Sequence, residues 1–253
     1  MIVSCYPGIS LSATQGEPTQ QPTIILVHGA FAESSSWNGV ISNLISDGYR
    51  VVAAANPLRS VKSDAAYLSS IISSINGPVI LVGHSYGGEV ISQAAHRVGN
   101  VRALVYVAGF ALDTGESATT LGQRFPEGTL GQALAPPVAQ SDGSQDLYIE
   151  QSKFWNQFAA DVSEAEAAQM AATQRPVTDT ALAEPVGPPA WKELPSWFIY
   201  GALDKNIPAA AHAYMAERAK AREVVKVNGA SHVVMISHAH DVAALIKRAA
   251  STK

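Results

Sequence analysis

The pentapeptide Gly83-His84-Ser85-Tyr86-Gly87 places one hydroxyl where it could act as a nucleophile. The run before it, Pro78-Val79-Ile80-Leu81-Val82, is continuously apolar, as a fully buried parallel strand would be. The run after it, from Gly88 to His96, carries small and apolar residues at helical spacing. A serine at such a junction takes a strained backbone conformation, and only small flanking residues let strand and helix close around it. A bare G-x-S-x-G arises by chance in about one chain in ten of this length, given ordinary glycine usage. Its position between a strand and a helix is what gives it weight.

A serine nucleophile needs a base, an acid to orient that base, and donors for the oxyanion. The strand Thr23-Ile24-Ile25-Leu26-Val27 runs into His28-Gly29-Ala30-Phe31, a sharp turn whose backbone amides can point at Ser85. The Ala30 amide, or alternatively that of Phe31, and the Tyr86 amide are the candidate oxyanion donors, the latter at a helix N-terminus. Downstream, Ser196-Trp197-Phe198-Ile199-Tyr200 reads as a strand, and Asp204 lies in the loop just past it. Glu223-Val224-Val225-Lys226-Val227 reads as the last strand, with His232 in the loop after it. Asp64 and Asp241 compete with Asp204, but neither follows a core strand. His238 and His240 compete with His232, but they open the last helix, where solvent is expected. Their i, i+2 spacing points two imidazoles apart, so the sequence calls for no metal. His28 and His84 read as structural hydrogen-bonding groups.

Ser85, Asp204 and His232, in that order, resemble the nucleophile, acid and base of the α/β-hydrolases. The chain is most similar to the group holding plant methyl esterases, hydroxynitrile lyases and bacterial esterase-like relatives. The resemblance rests on His28-Gly29-Ala30, on Gly83 to Gly88, on the Asp204 loop and on Ser231-His232-Val233-Val234-Met235-Ile236-Ser237. It implies a Ser-His-Asp triad that cleaves a small carboxylic ester or lactone through an acyl-enzyme, with no cofactor. The lyase alternative is disfavoured: those relatives carry a lysine shortly after the histidine, where this chain has Val233-Val234-Met235. A third reading, a small-molecule receptor on the same scaffold, would not need an intact triad.

The elements that must position these groups alternate. Strands near 23–28, 49–54, 78–83, 101–107, 196–200 and 223–227 are separated by helical patterns near 34–46, 62–75, 86–97, 207–220 and 238–250. Such alternation predicts an α/β fold with about six mainly parallel strands flanked by helices. Residues 22–112 and 192–253 form the expected core. Residues 1–21 read as a polar N-terminal extension, so the family's leading pair of strands is expected to be absent or vestigial. Residues 113–191 break the alternation and are expected to form a cap (lid) with one long helix from Ser163 to Gln174, too large an insertion for an ordinary loop. Phe31 and Tyr86 of the core and Trp155 and Phe158 of the cap are the expected substrate contacts.

Composition fits an enzyme with one sizeable core, at 47% hydrophobic and 15% charged residues. The net charge of −4 carries no long run of either sign, so no nucleic-acid or membrane surface is expected. The single cysteine, Cys5, cannot form an internal disulfide. Residues 1–21 hold no Lys or Arg and make a poor secretory signal, so a cytoplasmic protein is expected. The expected partner is a small-molecule ester; oligomeric state is not legible.

Overall fold

The computed structural model describes residues 20–252. The proposed extension over 1–21 therefore lies outside the described residues, apart from Gln20 and Gln21. Six strands form one parallel sheet: β1 (Thr23–Val27), β2 (Val51–Ala54), β3 (Val79–His84), β4 (Val101–Val107), then β8 (Ser196–Gly201) and β9 (Glu223–Val227). Their spatial order is β2-β1-β3-β4-β8-β9. All six fall where the alternation of apolar runs predicts them. β1 and β3 are buried along their whole length because helices cover both faces of the sheet, so their sequences are unbroken apolar runs. β9 instead alternates, as a strand at the sheet edge does, with Val224 and Lys226 outward.

Helices α1 (Asn38–Ser46), α2 (Val61–Ser73) and α3 (Gly87–Ala94) belong to the first half of the core. The Ser60 hydroxyl caps α2 by accepting the Ser63 amide at 3.0 Å. α3 buries seven of its eight residues behind the sheet. Between β4 and β8 the chain leaves the sheet and forms α4 (Ala118–Arg124), α5 (Leu130–Ala133), α6 (Gln151–Phe158), α7 (Glu164–Thr173) and α8 (Asp179–Ala183). α7 is the long helix predicted there, with Ser163 as its cap. A small antiparallel sheet of β5 (Val138–Ala139), β6 (Gln145–Leu147) and β7 (Val177–Thr178) lies in the same segment. It is illegible in the sequence, because strands of two or three residues show no periodicity. The chain then closes with α9 (Ala209–Arg218), the short α10 (Val234–Ser237) and α11 (Ala239–Ala250).

The strand order reverses at β1, which has β2 on one side and β3 on the other. A crevice opens at such a switch point, beyond the C-terminal ends of the strands. The turn after β1 and the turn after β3 both sit there. Among the described residues no helix is long and apolar enough to cross a membrane.

Candidate active site

Ser85 occupies the turn from β3 to α3 with φ 50°, in the left-handed region that residues with side chains rarely adopt. The conformation is held from three sides. The Ser85 amide donates to the Ala108 carbonyl at 3.2 Å, and its own carbonyl accepts from Gly88 (2.9 Å) and Phe110 (3.0 Å). Close backbone approach explains the flanking glycine: a Cβ on Gly83 would lie 2.5 Å from the Gly87 carbonyl oxygen. The turn after β1 packs against the same serine, since a Cβ on Gly29 would stand 2.5 Å from Ser85 Cβ. His28 pins that turn. Its Nδ1–H donates to the Gly29 carbonyl at 2.9 Å, and its Nε2 accepts the Asn56 amide at 3.0 Å. The Phe31 amide, the alternative oxyanion donor, is spent on the Arg175 carbonyl at 2.9 Å. Among the described residues no recorded hydrogen bond engages the Ala30 or Tyr86 amide.

Asp204 lies past β8, fully buried with His232. Its Oδ1 accepts the amides of Asn206 (2.8 Å) and Ile207 (3.0 Å), which lock the carboxylate plane. Its Oδ2 accepts His232 Nδ1–H at 2.7 Å. Burial alone would raise the Asp204 pKa, but the His232 charge and the hydrogen bonds from His212 and His232 outweigh it, holding the carboxyl below the usual range. With Nδ1 so engaged, His232 Nε2 is left without a hydrogen-bond partner, and His232 lines the cavity that Ser85 also lines. His84, beside the serine, donates Nε2–H to the His232 carbonyl at 3.2 Å, and the two rings lie 4.8 Å apart. Both nearby histidines thus act as structural donors, as their positions in the sequence suggest.

The competing residues go elsewhere. Asp64 is buried at the start of α2, where it accepts the Tyr86 hydroxyl (2.9 Å) and the Arg59 amide (3.1 Å). Tyr86 therefore borders the cavity while its phenol is turned into the core. Asp241 and His240 are exposed on α11. His238 is not fully solvated: its side chain is 31% exposed and bonds the Ser237 hydroxyl at 2.9 Å. Among the described residues no group of three or more His, Cys, Asp or Glu is arranged to hold a metal.

The cavity has a volume of about 500 Å³. Ala30, Phe31, Ser85, Tyr86 and His232 border it from the core, and residues such as Leu121, Phe125, Leu134 and Phe158 border it from the segment between β4 and β8. Among the described residues neither Lys nor Arg lines it, and Asp179 is the one charged residue of the lining. Phe158 is buried edge-on against Phe31 and His232, at ring distances of 6.2 and 5.0 Å. Trp155 does not reach the cavity, contrary to the expectation for it. It is 40% exposed, and its indole donates to the Val162 carbonyl at 3.0 Å. Trp155 and Phe158 are three positions apart, close to one helical turn, yet the first is exposed and the second buried at the C-terminal end of α6.

Sequence reasoning missed His212. Its Nε2 lies 3.1 Å from Asp204 Oδ2, the same oxygen that holds His232. A histidine in the alanine-rich run Ala209-Ala210-Ala211-His212-Ala213 carries no signal of its own. The contact exists only because the chain reverses between Asp204 and α9.

A family model described as the alpha/beta hydrolase family matches residues 24–245. Alpha/beta hydrolase nvfD from Aspergillus novofumigatus is 27% identical over 239 residues, covering 87% of this chain and 90% of that protein. Norfluorocurarine synthase 2 from Strychnos sp is 25% identical over 248 residues, covering 87% and 91%. Among solved structures, polyneuridine aldehyde esterase superposes with a TM-score of 0.76 at 17% identity, covering 90% of this chain and 99% of that one. The parallel sheet, its switch-point crevice and the strained serine at the end of β3 all fall within the matched span, and the chain belongs to the alpha/beta hydrolase family.

Proposed function

We propose that this hydrolase cleaves a neutral carboxylic ester, with a lactone in the same class, through an acyl-enzyme. One observation carries the reading: the strained Ser85 and the unpartnered Nε2 of His232 border one cavity, and Asp204 orients that imidazole from behind. Ser85 Oγ attacks the ester carbonyl as its proton passes to His232 Nε2. The Ala30 and Tyr86 amides hold the negative oxygen of the tetrahedral intermediate. The imidazolium then protonates the departing alcohol, leaving the acyl group on Ser85. Water, activated by the same imidazole, attacks the acyl-enzyme and releases the acid. Asp204 stays ionised throughout and stabilises the imidazolium.

The segment over 113–191 acts in this reading as the cap, supplying the apolar wall for the acyl or alcohol group. That no lysine or arginine lines the cavity among the described residues supports a substrate without a free carboxylate. It also leaves no cation for departing cyanide, which weighs against the lyase alternative. The esterase name of the structurally similar polyneuridine aldehyde esterase agrees with this reading. The test is a panel of chromogenic esters with neutral and carboxylate-bearing acyl groups, with a fluorophosphonate probe and peptide mapping. Turnover of neutral esters, with the adduct on Ser85, is the expected result. Binding without turnover would favour the receptor, and an adduct on another serine would overturn the mechanism.

A further inference from the structure

We propose that His212 is a positioning residue for the Asp204–His232 pair: it donates Nε2–H to Asp204 Oδ2, the oxygen that holds His232, and so holds the carboxylate in the rotamer that orients His232. The inference rests on reading His232 as the base. Four donors converge on one buried carboxylate. Oδ1 takes two backbone amides, at 2.8 and 3.0 Å, and Oδ2 takes two imidazoles, at 2.7 and 3.1 Å. No rotation of the carboxylate keeps all four, so each donor holds the geometry for the other three.

His212 suits a neutral donor. It is fully buried in α9, its Nδ1 has no partner, and Tyr200 stacks on its ring at 4.7 Å and 19°. Burial pushes its pKa down, and the hydrogen bond to Asp204 only partly opposes that. A neutral His212 shares the carboxylate's lone pairs without cancelling its charge. The imidazolium that forms at His232 during the reaction therefore still finds a counter-charge. The other polar groups around the pair belong to separate elements. His84 on β3 bonds the His232 carbonyl, and burial holds its pKa well down. Asp161 accepts the neighbouring Ser231 hydroxyl and lies 3.9 Å from His238. Among the described residues none of them touches Asp204 Oδ2, and His212 is the one side chain that competes with His232 for that oxygen.

His212→Phe keeps a ring against Tyr200 but removes the donor, whereas His212→Gln places an amide N–H near the position of the imidazole Nε2. The Phe variant should lose about tenfold in kcat with KM unchanged. The Gln variant should return kcat close to the parent's. A packing role alone predicts lower stability in both variants with kcat unmoved, and that result would overturn the proposal. Should His212→Phe fail to fold, ¹⁵N NMR of the parent decides. Near pH 8 His212 should be in the neutral Nε2–H tautomer, and an Nδ1–H tautomer would end the idea. The parent's own activity separates the two claims. An inactive parent condemns the ester reading, and an active parent with unmoved variants condemns His212.

Discussion

The two walls of the cavity are built in different ways. On the core side, backbone does the positioning. Ser85 sits in a strained conformation, Gly29 and Gly83 allow contacts that no side chain would permit, and carbonyls of neighbouring strands hold the turn. On the other side, between β4 and β8, side chains do it, and Leu121, Phe125 and Leu134 present carbon to the same space. A backbone-built wall tolerates almost no change, whereas a side-chain wall can exchange one apolar group for another at modest cost. The difference teaches where chemistry and where selectivity should reside. The walls are also tied together. Gln157 on α6 donates to the Lys205 carbonyl (3.1 Å) and to Asn206 (2.9 Å), and the Phe31 amide reaches across to Arg175. The Asp204 loop and the turn after β1 thus each lean on the segment between β4 and β8.

The comparison breaks first at the serine. Ser85→Ala should remove up to about 10⁶-fold of kcat on a chromogenic ester while circular dichroism stays unchanged. Ser85→Gly should be equally inactive, yet more stable to denaturant than the Ala variant by about 1 kcal/mol, because glycine accepts a positive φ without strain. If the Gly variant is the less stable of the two, the turn is not strained as described.

Asp204→Asn should cost about 10⁴-fold in kcat, and Asp241→Asn almost nothing. The same carboxylate carries a pH signature. Its folded-state pKa is depressed, so the ionised form contributes stability above about pH 4, and that contribution is lost as pH falls through the depressed value. Melting temperature should drop on acidification less steeply in the Asn variant than in the parent, and parallel curves would contradict the assignment.

Gly29→Ala should lower kcat by about 10²-fold or more, since the added methyl displaces either Ser85 or the Ala30 amide from the oxyanion position. An unchanged kcat would mean that this turn is not part of the chemistry.

The insertion wall should respond more gently and more selectively. Leu134→Ala should shift the ratio of kcat/KM between bulky and short esters by about tenfold, with kcat on the better substrate retained. Phe158→Ala should change that ratio and also cost about 3–5 kcal/mol in stability, because its ring packs on Phe154, Phe31 and His232. Trp155→Ala, at an exposed position, should change the ratio not at all and stability by less than about 1 kcal/mol. If Trp155 alters preference and Leu134 does not, the residues of the selectivity wall have been misassigned.

The sequence by itself determined the six parallel strands and the order in which Ser85, Asp204 and His232 emerge from them. Those features follow from local rules: buried parallel strands must read as apolar runs, and a strand-to-helix turn bearing a serine must be flanked by glycine. It also separated Asp204 from Asp64 and Asp241, because only Asp204 follows a core strand. The tertiary structure alone decided what depends on long-range approach. It spent the Phe31 amide on Arg175, turned the Tyr86 phenol onto Asp64, and sent Phe158 inward and Trp155 outward from neighbouring positions of one short helix. It brought His212 to the oxygen that holds His232, across a chain reversal that no residue pattern announces. Local sterics are written residue by residue, whereas which donor meets which acceptor is settled only when distant segments pack, and the hydrogen bonds of the site belong to that second kind.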